Sequence, residues 1–268
     1  MKKRLILIKI KSYVTKLLKS ELILPSFVIT FGIVIAGIGG LLFQLIAAKY
    51  LSFENFASLS ATLAIYNIIM AFMLGINVIL SRNSSIFGSK EEYFNIKALF
   101  KFIFNIYTLL MIVALPFVYF FSDNISHLIN VKNQIYIVFL YLLVWVTFLL
   151  GINTSIINGL KKFYLLSVVN TSVYILRLIF CGLALYLGWH LNYILALYIL
   201  SISIVCLFSY IYIIPIIKTA KKTTMDIRKL FKPKFLLPPL FGNISIILLF
   251  QIDILIANKF FDSILASN

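Results

Sequence analysis

Acidic side chains are scarce in this sequence: 8 Asp and Glu stand against 24 Lys and Arg in 268 residues. Charge of either sign occupies only 12% of positions, whereas 62% are hydrophobic and the mean hydropathy is +1.07. A soluble domain of this length has too little interior to hide so much apolar surface, so the expected class is a polytopic membrane protein. Cysteine is almost missing. Cys181 and Cys206 both fall inside apolar runs, which argues against a disulfide framework or a thiolate metal site and for two small packed side chains. His127 and His190 are single residues in polar turns, without metal-ligand spacing around them. No Walker loop, GxSxG, HExxH or paired-carboxylate pattern is present, so ATP hydrolysis and hydrolytic chemistry have no support. The expectation is therefore a protein that is not an enzyme, with no cofactor and no metal.

What the sequence does contain is a succession of long apolar runs. Leu22 to Ala48 and Asn55 to Ser81 carry no charge, and the polar turn between them holds Lys49, Ser52 and Glu54. Each run exceeds the ~20 residues that a helix needs to cross roughly 30 Å of hydrocarbon. Seven such segments follow one another: about 25–48, 57–80, 102–121, 134–157, 165–187, 193–217 and 237–258. The predicted fold class is all-α, a bundle of about seven transmembrane helices. Gly32, Ala36 and Gly40 recur every four residues on the first helix, a face of small residues that lets a neighbour approach closely. Pro238, Pro239 and Gly242 predict a kinked or loosened start to the seventh.

Basic residues decide the orientation. With the N-terminus inside, every Lys and Arg falls on inner segments except Lys49, Lys132, Lys259 and the intramembrane Arg177. This bias predicts a cytoplasmic N-terminus. It also accounts for the net charge of +16, so no nucleic-acid partner is expected. Residues 1–21 form a basic cytoplasmic segment whose Ile6, Ile10, Val14 and Leu17 suit an amphipathic helix on an anionic leaflet. Residues 218–235 form a second basic loop.

One internal match divides the chain further. Leu45-Ile46-Ala47-Ala48-Lys49-Tyr50 is echoed by Leu255-Ile256-Ala257-Asn258-Lys259-Phe260, and LLFQ precedes both. On this reading 22–217 is one six-helix lobe, and 236–268 is the first helix of an incomplete second lobe. Paired repeats of this kind are a common transporter plan.

Several stretches bear a family resemblance. AAKYLSFENFASLS after the first helix, GINVILSR at the end of the second, SIINGLKKFYLLSVVNTSVYILRLIF across the fourth and fifth, and FQIDILIANKF in the seventh resemble the polysaccharide and O-antigen flippases. These belong to the multidrug/oligosaccharidyl-lipid/polysaccharide exporter superfamily. Lys49 stands where the family usually has Arg, and Ala57 where it usually has Gly. The resemblance implies two lobes of six helices, of which this chain corresponds to a truncated version. It also implies translocation of a polyprenyl-pyrophosphate-linked oligosaccharide across the bacterial inner membrane, for surface polysaccharide such as lipopolysaccharide O-antigen. The implied partners are that lipid-linked substrate, membrane lipids, and the polysaccharide polymerase and glycosyltransferases. A multidrug/cation antiporter of the same superfamily, a membrane-embedded polymerase and a non-catalytic scaffold remain as alternatives.

The candidate site residues follow from charge inside the membrane. A central Arg opposes insertion by about 2.5–3.5 kcal/mol, so Arg177 must face a hydrated cavity or a partner. Its guanidinium suits the pyrophosphate of the substrate; the alternatives are a structural pair with Asp253 and snorkelling. Asp253 is the ion-coupling candidate. Arg82 and Lys49, at helix ends, are either interfacial anchors or further substrate contacts. Asn77, Asn153 and Asn170 either line a cavity or hydrogen-bond between helices.

Overall fold

The computed structural model describes residues 23–128, 131, 133–218 and 233–260, and every regular element among them is a helix. In chain order these are α1 (Ile23–Tyr50), α2 (Phe53–Ser89), α3 (Tyr93–Leu128), α4 (Ile135–Gly159), α5 (Phe163–Tyr186), α6 (Leu191–Lys218) and α7 (Pro233–Phe260). Six of them, α1 to α6, are long and apolar enough to cross a membrane, and α7 carries a shorter apolar stretch over Phe241–Ile256. The chain is a multi-pass helical bundle, as expected from the sequence. The basic segment 1–21, most of the 218–235 loop and Lys132 lie outside the described residues.

Tight turns make neighbouring helices antiparallel. Between α1 and α2 the Ser52 side chain accepts a hydrogen bond from the Asn55 amide at 3.4 Å, which caps α2. At the end of α5, Gly188 adopts φ +72° and its amide donates to the Leu185 carbonyl, while the Trp189 amide donates to Ala184. Only glycine takes that left-handed position without strain, and it closes the helix so that α6 can begin at Leu191.

Two helices are longer than the hydropathy pattern predicts. The polar stretch RNSSIFGS, which lies beyond the second apolar segment, continues α2 to Ser89, and α3 starts at Tyr93 and runs through SDNISHL. Tertiary packing explains the extension. Asn83, Ser84 and Phe87 on α2 and Asn95, Ile96 and Leu99 on α3 are all buried against neighbouring helices, so the polar sequence lies in a protein interface. With 37 residues and about 1.5 Å of rise each, α2 is far longer than a ~30 Å hydrocarbon layer and projects beyond it. α7 is helical over Pro233–Phe260, so the Pro238-Pro239 pair lies within the helix.

α4 is the axis of the bundle, with 56% of its apolar window buried. It packs between α2 and α6 and is flanked by α3; α5 lies against α6. α1 runs along α5, and α7 along α2. The α1–α5 contact uses the face of small residues. A Cβ on Gly32 would overlap the Ser167 hydroxyl, and one on Gly40 would stand 3.3 Å from Arg177 Nη2. Across the same seam Ser167 Oγ donates to the Val28 carbonyl at 2.9 Å and Thr171 Oγ1 to the Gly32 carbonyl at 3.3 Å. Close backbones and interhelical hydroxyl bonds are how helices hold together without a hydrophobic driving force between them. The outside of the bundle is apolar. Phe27, Phe31, Phe117, Tyr119 and Phe120 are among the large side chains left exposed, the last at 77%. In water such a surface would aggregate, whereas in a bilayer it is the lipid contact.

Candidate functional site: a polar cavity inside the bundle

A cavity of about 810 Å³ opens inside the bundle, walled by α1, α2, α4, α5, α6 and α7. Its polar lining comes from one face of each helix. α2 contributes Tyr66, Asn67 and Asn77, and α4 contributes Thr147 and Thr154. α5 adds Asn170 and Tyr174, α6 adds Tyr198, and α7 adds Gln251. The remaining lining is aliphatic, aromatic or thioether, as at Ala36, Met70, Met73 and Phe250. Among the described residues, no Asp or Glu lines it. A smaller cavity of about 90 Å³ adjoins it, sharing Asn67 and Gln251 and bounded by Phe43 and Gln44.

Polar atoms in this cavity are partly unsatisfied. Tyr66 Oη donates to Thr147 Oγ1 at 3.1 Å, tying α2 to α4. Asn77 Oδ1 is buried and accepts no hydrogen bond in the structure. A buried carbonyl oxygen without a donor costs free energy unless water or a ligand supplies one. Asn77 therefore offers an acceptor to whatever fills the cavity.

Arg177 stands at the edge of this space. It is 8% exposed, and its Nη1 donates to Tyr198 Oη at 2.7 Å. Three aromatic rings surround the guanidinium, with its central carbon 4.8 Å from Phe43, 4.9 Å from Tyr174 and 5.0 Å from Tyr198. Ring faces attract cations, and more strongly where water is excluded, so this cage replaces part of the lost hydration. Its Nε is buried with no acceptor. Two of the caging rings, Tyr174 and Tyr198, also line the cavity, so they separate the charge from it by one layer of side chains. The structure supports neither alternative raised for this residue. Asp253 is exposed on α7, Arg177 bonds to Tyr198 instead, and the guanidinium is enclosed rather than extended to a surface.

The other candidate residues lie apart. Lys49 is exposed in the last turn of α1, its Nζ 5.4 Å from the Tyr50 ring. Arg82 is exposed near the far end of α2, so the antiparallel hairpin places these two cations at opposite ends of the bundle. Asn77 and Asn170 line the cavity, whereas Asn153 Nδ2 donates to Ser209 Oγ at 2.9 Å and to the Cys206 carbonyl at 3.2 Å, holding α4 to α6. Sequence reasoning missed Phe43, Tyr66, Asn67, Thr147, Thr154, Tyr174, Tyr198 and Gln251. Part of the signal was present: Tyr66, Met70, Met73 and Asn77 recur at helical spacing, as do Asn170, Tyr174 and Arg177. Which of the apolar-rich faces turned inward was not.

No protein-family model and no curated protein matches this chain. Among solved structures it resembles a MOP superfamily transporter from Pyrococcus furiosus, described as having a binding pocket of reverse polarity that suggests a different function. Identity is 12% and the TM-score 0.59, over 87% of this chain and 51% of that one. The chain thus spans about half the length of the transporter whose fold it shares.

Proposed function

We propose that this protein is a lobe of a flippase of the MOP superfamily, moving a polyprenyl-pyrophosphate-linked oligosaccharide across a bacterial inner membrane. On this reading α1–α6 form the lobe expected over 22–217, and α7 (Pro233–Phe260) begins the second, expected over 236–268. The observation that carries the proposal is the cavity: amides, hydroxyls and aromatic rings line it, a buried arginine stands behind them, and no carboxylate among the described residues enters it. Amide and hydroxyl groups match sugar hydroxyls, and aromatic faces match the apolar faces of sugar rings. A guanidinium binds a pyrophosphate through a planar, charge-assisted pair of hydrogen bonds. Arg177 reaches it once Tyr174 or Tyr198 swings aside. The polyprenyl tail stays in lipid beside the exposed apolar belt.

Arg82 and Lys49 fit the two ends of such a path, the first where the headgroup loads and the second where it leaves. Asp253, two residues after Gln251, is the group available to couple a cation or proton to the cycle. The superfamily's other reading, a cation antiporter, is disfavoured because a cationic drug needs acidic lining, and none is present among the described residues. A polymerase would need catalytic groups that the cavity does not offer.

The test is a flipping assay in proteoliposomes, using a fluorescent polyprenyl-pyrophosphate disaccharide and a membrane-impermeant quencher. The expected result is protein-dependent, saturable translocation that Asn77→Leu lowers by about tenfold, as loss of one buried polar contact would, with the protein still folded. No protein-dependent translocation of this lipid, together with gradient-driven efflux of a cationic dye, would overturn the proposal in favour of the antiporter.

A further inference from the structure

A second large cavity lies at the lysine-rich end of the bundle, about 800 Å³ in volume, where the C-terminal ends of α2, α4 and α6, the start of α3 and the turn before α5 converge. It shares no lining residue with the central cavity. Its composition is two-sided. Lys161, Lys162, Ser85 and Ser89 give it cationic and hydroxyl groups, while Ile211 and Tyr212 of α6 form an apolar wall that is itself exposed on the outside of the bundle. Among the described residues, no Asp or Glu lines it. Glu92 on the adjacent turn has its carboxylate engaged by Asn95 Nδ2 at 2.8 Å.

The lysines are held in place by the turn that carries them. Leu160, Lys161 and Lys162 amides donate back to Ile156, Asn158 and Ile157 carbonyls, and Lys161 takes φ 58°. That closed turn projects two consecutive exposed ammonium side chains over the crevice. Lys162 is also the residue before α5, and its side chain does not cap the helix, so the first-turn amides of α5 add partial positive charge at the same spot.

A cationic, hydroxyl-bearing head continuous with an apolar wall that faces lipid is the chemistry of a phospholipid's two halves. We propose that this crevice seats an anionic phospholipid, its phosphate on Lys161 and Lys162 and its acyl chains along Ile211 and Tyr212. A soluble anion would use the lysines and leave the apolar wall unused. The lipid-carrier substrate has the same phosphate but a branched polyprenyl tail, and it must reach the central cavity, with which this crevice shares no lining residue.

Retention of lipid is read by native mass spectrometry on the whole protein, loaded from equimolar dioleoyl phosphatidylglycerol and dioleoyl phosphatidylcholine. The expected preference for phosphatidylglycerol is about tenfold, since lysines near a lipid surface each add an electrostatic increment of a few-fold. Lys161→Gln with Lys162→Gln should bring it close to unity, while Lys101→Gln, an exposed lysine on α3 outside the crevice, should leave it intact. A preference that survives the double substitution overturns the proposal. So does displacement of the lipid by inorganic phosphate at constant ionic strength, which would make it a simple anion site. Retention of undecaprenyl phosphate without phosphatidylglycerol would also overturn it and assign the crevice to the carrier lipid. Binding is read without transport, so failure here leaves the flippase reading untouched.

Discussion

Replacing Arg177 by methionine separates a structural role from a functional one. In the folded bundle the guanidinium gains a charge-assisted hydrogen bond to Tyr198, worth about 1.5–3 kcal/mol. Three ring contacts at 4.8 to 5.0 Å each add about 0.5–2 kcal/mol, shared around one cation and so not additive. Against these stands the removal of a buried charge from water, several kcal/mol, of which the about 2.5–3.5 kcal/mol that a central Arg costs on insertion is one measure. Methionine removes both sides of this balance and adds about 1.5–3 kcal/mol of apolar burial, less the cost of leaving the Tyr198 hydroxyl without its donor. Arg177→Met should therefore stay within about 2 kcal/mol of the parent, a shift of less than about 8 °C in thermal midpoint for a chain of this size. Flipping of the pyrophosphate-linked lipid should fall much further, by about 10- to 150-fold, for the loss of a charged hydrogen bond. Arg177→Lys keeps the charge but not the planar fork, and should lie between. The assays are the midpoint of the purified protein in detergent and the initial rate in proteoliposomes. A variant that does not fold or insert would show that the cation is structural, and a folded variant flipping at the full rate would show that it never meets the substrate. Either result refutes the reasoning.

Two further predictions concern the packing that shapes the cavity. A Cβ on Gly159 would overlap the Ser81 carbonyl oxygen and Ser84 Cβ and come within 3.0 Å of the Ser85 amide, where α4 meets the α2 backbone. Gly159→Ala should destabilise the bundle by about 1–3 kcal/mol; Gly37→Ala, with nothing within 4 Å, should be neutral or gain up to about 1 kcal/mol of helix propensity, and equal midpoints for the two would contradict the close α2–α4 contact. Asn153→Leu removes the link to Ser209 and Cys206 and should cost about 0.5–1.5 kcal/mol, read as a lower midpoint with flipping at saturating substrate preserved; lost flipping without lost stability would move Asn153 into the site.

Much of this protein was legible in its sequence, because the bilayer imposes rules that act on composition alone. Hydrocarbon tolerates only segments that satisfy their own backbone, so runs of about 20 apolar residues had to be helices. The short turns between them had to make neighbours antiparallel. The small-residue face of α1 and the need to shelter Arg177 could likewise be read before any coordinates, since both are statements about what a single helix cannot leave facing lipid. Tertiary structure decided the rest. In a chain apolar on every side, the helical spacing of polar residues on α2 and α5 is too faint to choose the inward face, and so the contribution of Tyr66, Thr147, Tyr174 and Tyr198 to one cavity became visible only once the helices were packed. The extension of α2 through RNSSIFGS was hidden for the complementary reason: hydropathy treats a polar stretch as leaving the membrane, while burial of Asn83, Ser84 and Phe87 against other helices keeps it helical. The partner of Arg177 was decided the same way. Sequence could pair it only with the other intramembrane charge, Asp253, but α1 and α6 bring Phe43 and Tyr198 to it, and a ring of aromatic quadrupoles has no signature in a list of charges.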